Sequence, residues 1–229
     1  MALTATPLAL RLAESNRARK FAAFMDLVKP TPETTVLDVG FTGKEFREGD
    51  NFLEKHYPYP SQITALGIDA PEAFAERYPE VSVVLYDGNR FPFRDREFDV
   101  CWSNAVLEHV GNRERQALFV REIRRVAKLA FVTTPNKNFP VELHTRTPLL
   151  HFLPQPWFEA YLSRTGKRWA TGGYMNLLSL RGVREVLADA GIGRYRLIKN
   201  RLGGFIVDIV IVLEDTRPAV EAQPEGSRA

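Results

Sequence analysis

The chain has one cysteine, Cys101, so no disulfide can close within it, and a reducing compartment is expected. No apolar run reaches the roughly 18–20 residues that a membrane span requires. Met1 to Leu12 lacks a basic stretch followed by an apolar core, so no secretory signal is read there, and a cytoplasmic location is expected. Charge of one sign is also scarce. Lys and Arg number 31 against 28 Asp and Glu, a net charge of +3, which argues against nucleic acid as a partner. There is no internal repeat. What is present is an ordinary globular composition, 45% hydrophobic over 229 residues. That suffices for one well-buried core and is short for two full domains. A single domain is expected over residues 1–215, its first 30 residues forming a helix. The tail 216–229, with Pro218, Pro224 and Gly226, is expected to be disordered.

Phe21, Phe24, Met25 and Val28 recur at helical spacing, so residues 7–29 read as an amphipathic helix that Pro30 and Pro32 stop. Short apolar or β-branched runs follow at 35–40, 63–69, 81–86, 98–102 and 129–133. A helix over 113–128 has Asn112 as N-cap, with Phe119, Ile123 and Val126 on its buried face. A later helix over 180–190 has Ser179 as N-cap and Gly191 as its stop. Residues 195–198 and 205–213 flank Leu202-Gly-Gly204 and read as a closing hairpin. Strands alternating with helices imply right-handed crossovers and a doubly wound, mostly parallel α/β sheet.

In such a sheet ligands bind beyond the carboxyl ends of the strands. Those ends carry Asp38 and Gly40, Asp69, Asp87 and Gly88, Ser103 and Asn104, then Thr134 to Asn136. A carboxylate after the second strand can accept both hydroxyls of a ribose, and one after the third can accept an adenine amino group. One such acid alone is more often a turn former. The ordered set is what suits a nucleoside.

Val36-Leu-Asp-Val-Gly40 resembles motif I of the class I methyltransferases. Asp87-Gly-Asn-Arg-Phe-Pro-Phe93, Phe98-Asp-Val, Val106-Leu-Glu-His-Val110, Glu122-Ile-Arg-Arg-Val126 and Thr134-Pro-Asn136 are similar to the methyltransferase family often labelled type 11. The resemblance covers residues 33–136 well and 174–180 more loosely. It implies a Rossmann-like sheet of seven strands with the last inserted antiparallel, and S-adenosylmethionine as methyl donor. It places Asp38 and Gly40 at the methionine part, Asp69 at the ribose, Asp87 with Gly88 at the adenine, and Asn104 along the cofactor pocket. The departure is the glycine loop, which reads Gly40-Phe-Thr-Gly-Lys44 where the family has Gly-x-Gly-x-Gly. Residues 41–60 lengthen this first crossover and are expected to replace the missing glycine contacts. The same loop weighs against a dinucleotide-binding dehydrogenase.

The segment Asn136 to Pro156, after the fifth strand, is long for a βα connection and therefore expected to be functional. It holds Glu142, His144, Arg146 and His151, and Glu108 and His109 follow the fourth strand. Three readings stand side by side. In the first, Glu108, His109 and His144 resemble a site of metal-using relatives, the quinone-pathway and small-RNA methyltransferases. Those have Glu-x-x-Glu-His, whereas this chain has Ala105 in place of the first glutamate, so no metal is expected. In the second, His144 or His109 is the base that takes the proton of an alcohol or phenol acceptor. In the third, these side chains only order the loop. The run Leu149, Leu150, Phe152, Leu153, Trp157, Phe158 and Tyr161 is expected to pack on the N-terminal helix, or else to form a lip for a lipid-linked or aromatic substrate.

The expected function is therefore methyl transfer from S-adenosylmethionine to a small or carrier-linked metabolite, with an oxygen acceptor and a setting in glycan or lipid modification. The alternatives are an RNA methyltransferase, marked by a contiguous Lys/Arg face beside the pocket, and a non-catalytic cofactor-binding partner subunit.

Overall fold

The computed structural model describes residues 7–46 and 48–214, with side chains from Glu14 onward. The expected tail lies outside the described residues. The first half of the chain runs α1 (Pro7–Val28), β1 (Val36–Val39), α2 (Phe52–His56), β2 (Ile63–Gly67), α3 (Glu72–Arg77), β3 (Ser82–Leu85) and β4 (Phe98–Asn104). The second half runs α4 (Arg113–Val126), β5 (Ala127–Pro135), β6 (Val141–Glu142), β7 (Thr147–Pro148), α5 (Gln155–Arg164), α6 (Leu180–Asp189), β8 (Arg196–Leu202) and β9 (Phe205–Glu214).

Seven strands form one sheet in the order β3-β2-β1-β4-β5-β9-β8. The first five are parallel, and β9 enters antiparallel between β5 and β8. The strand order reverses between β1 and β4, which puts the ligand crevice at their carboxyl ends.

Each face of the sheet buries an apolar layer. On one, Leu37, Val39, Val132 and Ile211 meet Val120 and Ile123 of α4 and Val183 and Leu187 of α6. On the other, Val36, Ile63 and Val210 meet Phe24 of α1, Leu53 of α2 and Phe74 of α3. The rings of Trp102 and Phe131 stack there at 5.3 Å, and Phe24 sets its edge on Trp102 at 4.9 Å. Truncating a ring so enclosed costs about 3–5 kcal/mol, so Phe24 anchors α1 to the sheet. The two expected caps form. Asn112 accepts the Arg115 N–H, and Ser179 accepts that of Gly182. Gly191 follows α6 at φ 73, the left-handed stop that glycine permits.

The long segment after β5 carries the short antiparallel ribbon β6–β7, which its sequence does not announce. One expectation is corrected. The apolar run 149–161 does not pack into the core, because Leu149, Phe152 and Trp157 are exposed by 61%, 49% and 70%. Of α5, Leu162 is the residue that is buried. Pro154 and Pro156 stand at the entry to this helix, where Trp157 faces outward while Phe158 and Tyr161 are half-buried.

Candidate functional site

The crevice has two halves. At the ends of β1, β2 and β3 lie the expected cofactor residues. Gly40 holds φ 105, and a Cβ there would stand 2.3 Å from Val106 of the segment after β4. Only glycine serves at such a place. The next residue, Phe41, turns into the core against Phe74 at 4.6 Å and lies flat on Gly67, where a Cβ would come within 2.6 Å of its ring. Gly43 then brings the backbone over the end of β2. A Cβ on it would fall 2.3 Å from the Ala70 carbonyl oxygen, and its N–H points at Asp69 Oδ2, 3.4 Å away. So the shortened glycine motif is split. One glycine guards the turn and the second guards the approach to Asp69.

The lengthened crossover is tied down by Glu45. Its carboxylate accepts from Tyr78 and Asn51 and pairs with Lys55 at 2.9 Å. Behind it, Asp38 and Glu54 are each only 6% exposed, and both oxygens of Glu54 are buried with no hydrogen-bond partner among the described residues. Burial, and then the charge of Glu54, push the Asp38 carboxyl well above the usual range, and burial raises Glu54 too. Asp69 and Asp87, by contrast, are exposed. Asp87 accepts from the side chain and the N–H of Asn89, which hold its carboxyl below the usual range. The Gly88 carbonyl accepts from Arg115 at 3.1 Å. Asn104 accepts the Thr133 hydroxyl at 2.7 Å, so it is bound back to β5.

The other half lies beyond β4 and β5. Ala105, at φ 59, turns the chain out of β4 into a single helical turn, Leu107–His109. Glu108 is fully buried there. Its Oε2 accepts the Thr134 hydroxyl at 3.0 Å, while Oε1 has no hydrogen-bond partner among the described residues. Burial, against the charge of His144, raises its pKa to about 7. The loop after β5 then folds back. Glu142 ends β6, and His144 lies in the turn that follows it. His144 Nδ1 and its backbone N–H both lie 2.9 Å from Glu142 Oε1, and Thr145 donates twice to the other oxygen. Burial opposes ionisation of Glu142, yet these bonds prevail and bring its pKa to about 2.

The result is a cluster that the sequence separates widely. His109 Nε2 and His144 Nε2 stand 3.1 Å apart, and Glu108 Oε1 lies 3.8 and 3.6 Å from them. His109 Nδ1 meets the Tyr174 carbonyl at 2.9 Å. That carbonyl is in place because the chain at 176–178 docks beside β4 and β5, where Asn176 N–H donates to Glu108 O and Lys137 N–H to Leu178 O. Burial lowers the His109 pKa, and the Tyr174 bond resists it. The three residues form a group able to hold a metal ion.

Both expected catalytic histidines are thus in one place. Arg146, expected beside His144, is exposed at φ 53, and Thr145 is the residue that completes the Glu142 anchor. His151 turns away to the Lys137 carbonyl, 3.1 Å off. Sequence reasoning missed Thr134, the Tyr174 carbonyl and Lys20. Lys20 of α1 is buried 3.7 Å from Asp208 of β9. Burial lowers its pKa, while the carboxylates of Asp208 and Glu108 raise it. Asn16, Lys20 and Phe24 fall at helical i, i+4 spacing, so the apolar stripe of α1 continues as a polar one over this half of the crevice.

Residues 37–129 match the family described as a methyltransferase domain. No curated protein matches. Among solved structures, the magnesium protoporphyrin IX methyltransferase of Synechocystis PCC 6803 is 12% identical, with a TM-score of 0.55 over 94% of this chain and 90% of that one. The CurJ carbon methyltransferase is 15% identical at 0.54, covering 86% of this chain and 53% of its own, so the present chain spans about half its length. The methyltransferase domain of a bacterial Hen1 is 16% identical at 0.52, covering 87% and 97%. At such identities the likeness is one of fold. The family match runs from β1 into β5, and the strand order around it is that of the class I methyltransferase fold.

Proposed function

We propose that the protein methylates an oxygen of a small or carrier-linked metabolite, at the cluster of Glu108, His109 and His144. The residues at the first three strand ends fit S-adenosylmethionine on two counts. A side chain at position 40 has no room beside Val106, and Glu54 keeps buried acceptor oxygens beside the Asp38 strand end, suited to a ligand with a cationic amino-acid part. Asp38, Gly40 and Glu54 would hold that part, Asp69 the ribose, Asp87 and Gly88 the adenine. Asn104 would border the pocket. When bound, the donor supplies an electrophilic methyl group on a sulfonium, whose sulfur keeps the bonding pair as the methyl leaves.

The protein's remaining task is to position the acceptor and let its hydroxyl ionise. The observation that carries the oxygen assignment is the pairing of His144 Nδ1 with the Glu142 carboxylate, which turns Nε2 toward His109 and the open side. A neutral amine acceptor, which already carries a free lone pair, has less need of such a group. Beside it, Tyr174 lies tilted against His109 at 4.8 Å and meets Trp169 edge-on at 5.5 Å. These half-exposed rings favour an acceptor with an aromatic or lipid portion, as glycan or lipid modification would supply.

The test is incubation of the purified protein with methyl-labelled S-adenosylmethionine and fractionated lipid, glycan and small-metabolite extracts. Label should enter one of these as a methyl ether or ester, and His144→Ala should abolish it. Label in RNA, or as a methylated amine, would overturn the proposal.

A further inference from the structure

We infer that the surface around the mouth of the acceptor half docks on an anionic lipid bilayer. The inference deepens the function proposed above and rests on an acceptor with a lipid portion.

The first ground is where the exposed apolar side chains lie. Eleven large ones are exposed among the described residues. Six of them, Leu149, Phe152, Leu153, Trp157, Trp169 and Tyr174, come from the loop after β5, from α5 and from the turns behind it. A seventh, Phe205, stands at the β8–β9 turn beside Phe139 of the same loop, their rings 6.5 Å apart. Because β9 runs antiparallel to β5, that turn lies at the same end of the sheet as the loop. Exposed apolar side chains gathered in this way mark a contact surface.

The segments are joined. Phe152 packs on His151, which bonds to the Lys137 carbonyl. Lys167, beyond α5, reaches the Thr147 hydroxyl of β7 at 3.3 Å and stands over the Tyr161 ring at 5.8 Å. Trp169 meets Tyr174, which leans on His109. The apolar surface therefore borders the cluster where the acceptor is proposed to react.

The second ground is charge. Residues 137–174 hold Lys137, Arg146, Arg164, Lys167 and Arg168, none of them ion-paired among the described residues. The carboxylates of this segment are Glu142, buried against His144 and Thr145, and Glu159, which accepts from Gln155. Other surface cations have partners, as Arg113 has Glu185 and Asp189. On α5 the spacing of Trp157, Tyr161 and Arg164 puts two aromatics and a cation on one stripe, while Leu162 is buried. Aromatic and aliphatic side chains among Lys and Arg suit the headgroup region of an anionic membrane. No helix among the described residues is long and apolar enough to cross a membrane, so the contact is with its surface.

Two other occupants fit less well. A second copy placed on this face by a twofold axis would set these cations against their own kind. A nucleic acid would use the rings but not Leu149 and Leu153, on which no base stacks.

The experiment is co-sedimentation of the full chain with phosphatidylcholine vesicles, with and without phosphatidylglycerol, read alongside tryptophan fluorescence. Anionic vesicles should be bound about tenfold or more tightly than neutral ones, and binding should weaken as salt rises. Brominated lipid should quench Trp157 and Trp169, whereas Trp102 lies in the core. Trp157→Ala should weaken binding about tenfold and Arg164→Ala about fivefold. Leu85→Ala, exposed on the edge strand β3, should leave it unchanged. Circular dichroism confirms the fold of each variant. No binding of the folded protein to either vesicle would overturn the surface, as would full binding by a folded Trp157→Ala/Arg164→Ala variant. A dimer in sedimentation velocity that Trp157→Ala dissolves, or an RNA oligonucleotide that displaces the vesicles, would also overturn it. Vesicle binding with label entering only water-soluble metabolites would keep the surface and remove the lipid acceptor. Label in lipid from a protein that ignores vesicles would do the reverse.

Discussion

The ends of β1–β3 and the ends of β4–β5 face the same crevice, yet they are assembled in opposite ways. In the first half, Asp69 and Asp87 stand exposed, Asp87 bonded to its own turn and Asp69 approached by Gly43 N–H, while Asp38 and Glu54 are buried carboxyl groups raised by burial. In the second, most polar groups have a partner set before any ligand arrives, Glu108 Oε1 excepted. Glu142 takes four bonds from His144 and Thr145, and Glu108 is oriented by Thr134. The first half waits for a ligand to complete it. The second is preorganised, as a reacting centre must be to gain from position alone.

The sharpest way to break this contrast is to remove one residue from each half. His144→Ala should lower kcat by about a hundred- to ten-thousandfold, the usual worth of a positioned acid–base group. Affinity for S-adenosylhomocysteine should barely move, because its expected contacts come from other strand ends. His144→Gln keeps a hydrogen bond to the loop but cannot replace the second imidazole function. Near-normal turnover in the glutamine variant would make His144 a loop-ordering residue.

Asp69→Ala is the matching change in the cofactor half. It removes charge-assisted bonds to the ribose, each worth about 1.5–3 kcal/mol, so affinity for S-adenosylhomocysteine should fall roughly ten- to a hundredfold. The residue is exposed, and its contact in the free protein is a long 3.4 Å approach from Gly43 N–H, so the melting temperature should hold. Calorimetry showing wild-type affinity in the folded variant would remove Asp69 from the pocket.

The two halves were also unequally legible in the sequence. The strand-end acids could be named because Asp69 and Asp87 sit two residues past a strand and Asp38 within the end of one, positions fixed by local pattern alone. The strands and the helices α1, α4 and α6 were readable for the same reason. The Glu108–His109–His144 cluster was legible only as a set of candidates. Its closure depends on a two-residue ribbon pairing Val141 with Pro148 and on Asn176 docking on the Glu108 carbonyl, long-range contacts with no local signal. Lys20 was missed because a lysine on a helix is ordinarily solvated, and only Asp208, 188 positions further on, accounts for its burial. The outward turn of Trp157 was missed because an aromatic run usually means core.

Hydrogen exchange sharpens the contrast without mutation. Addition of S-adenosylhomocysteine should slow exchange across 41–60, the crossover that Glu45 holds between Asn51, Lys55 and Tyr78. The ribbon at 141–148, already bonded, should change less. Equal protection of both segments would erase the distinction drawn here. No protection at 41–60 would exclude that crossover from the pocket.

Glu54→Gln should give the smallest effect, and its sign is what matters. Burial raises the Glu54 pKa in the folded chain above its unfolded value, so the folded state holds that proton more tightly. The stability Glu54 contributes is therefore full below the unfolded carboxylate pKa, and it is lost as pH rises through the folded one. As pH rises through that raised pKa, ionising the buried carboxyl beside Asp38 costs stability, and glutamine removes the charge while keeping the shape. Above that pKa the variant should melt higher than wild type, by about 2–4 °C for each kcal/mol regained, with the advantage shrinking as pH falls toward the ordinary carboxylate range. A charged Glu54 is useful only if a cationic ligand meets it, so the stabilisation by S-adenosylhomocysteine should be smaller in the variant. Differential scanning calorimetry across pH, with and without that ligand, reads both outcomes. A variant that melts lower at every pH would mean that the carboxylate is satisfied in the free protein. The cofactor half would then be as preorganised as the other.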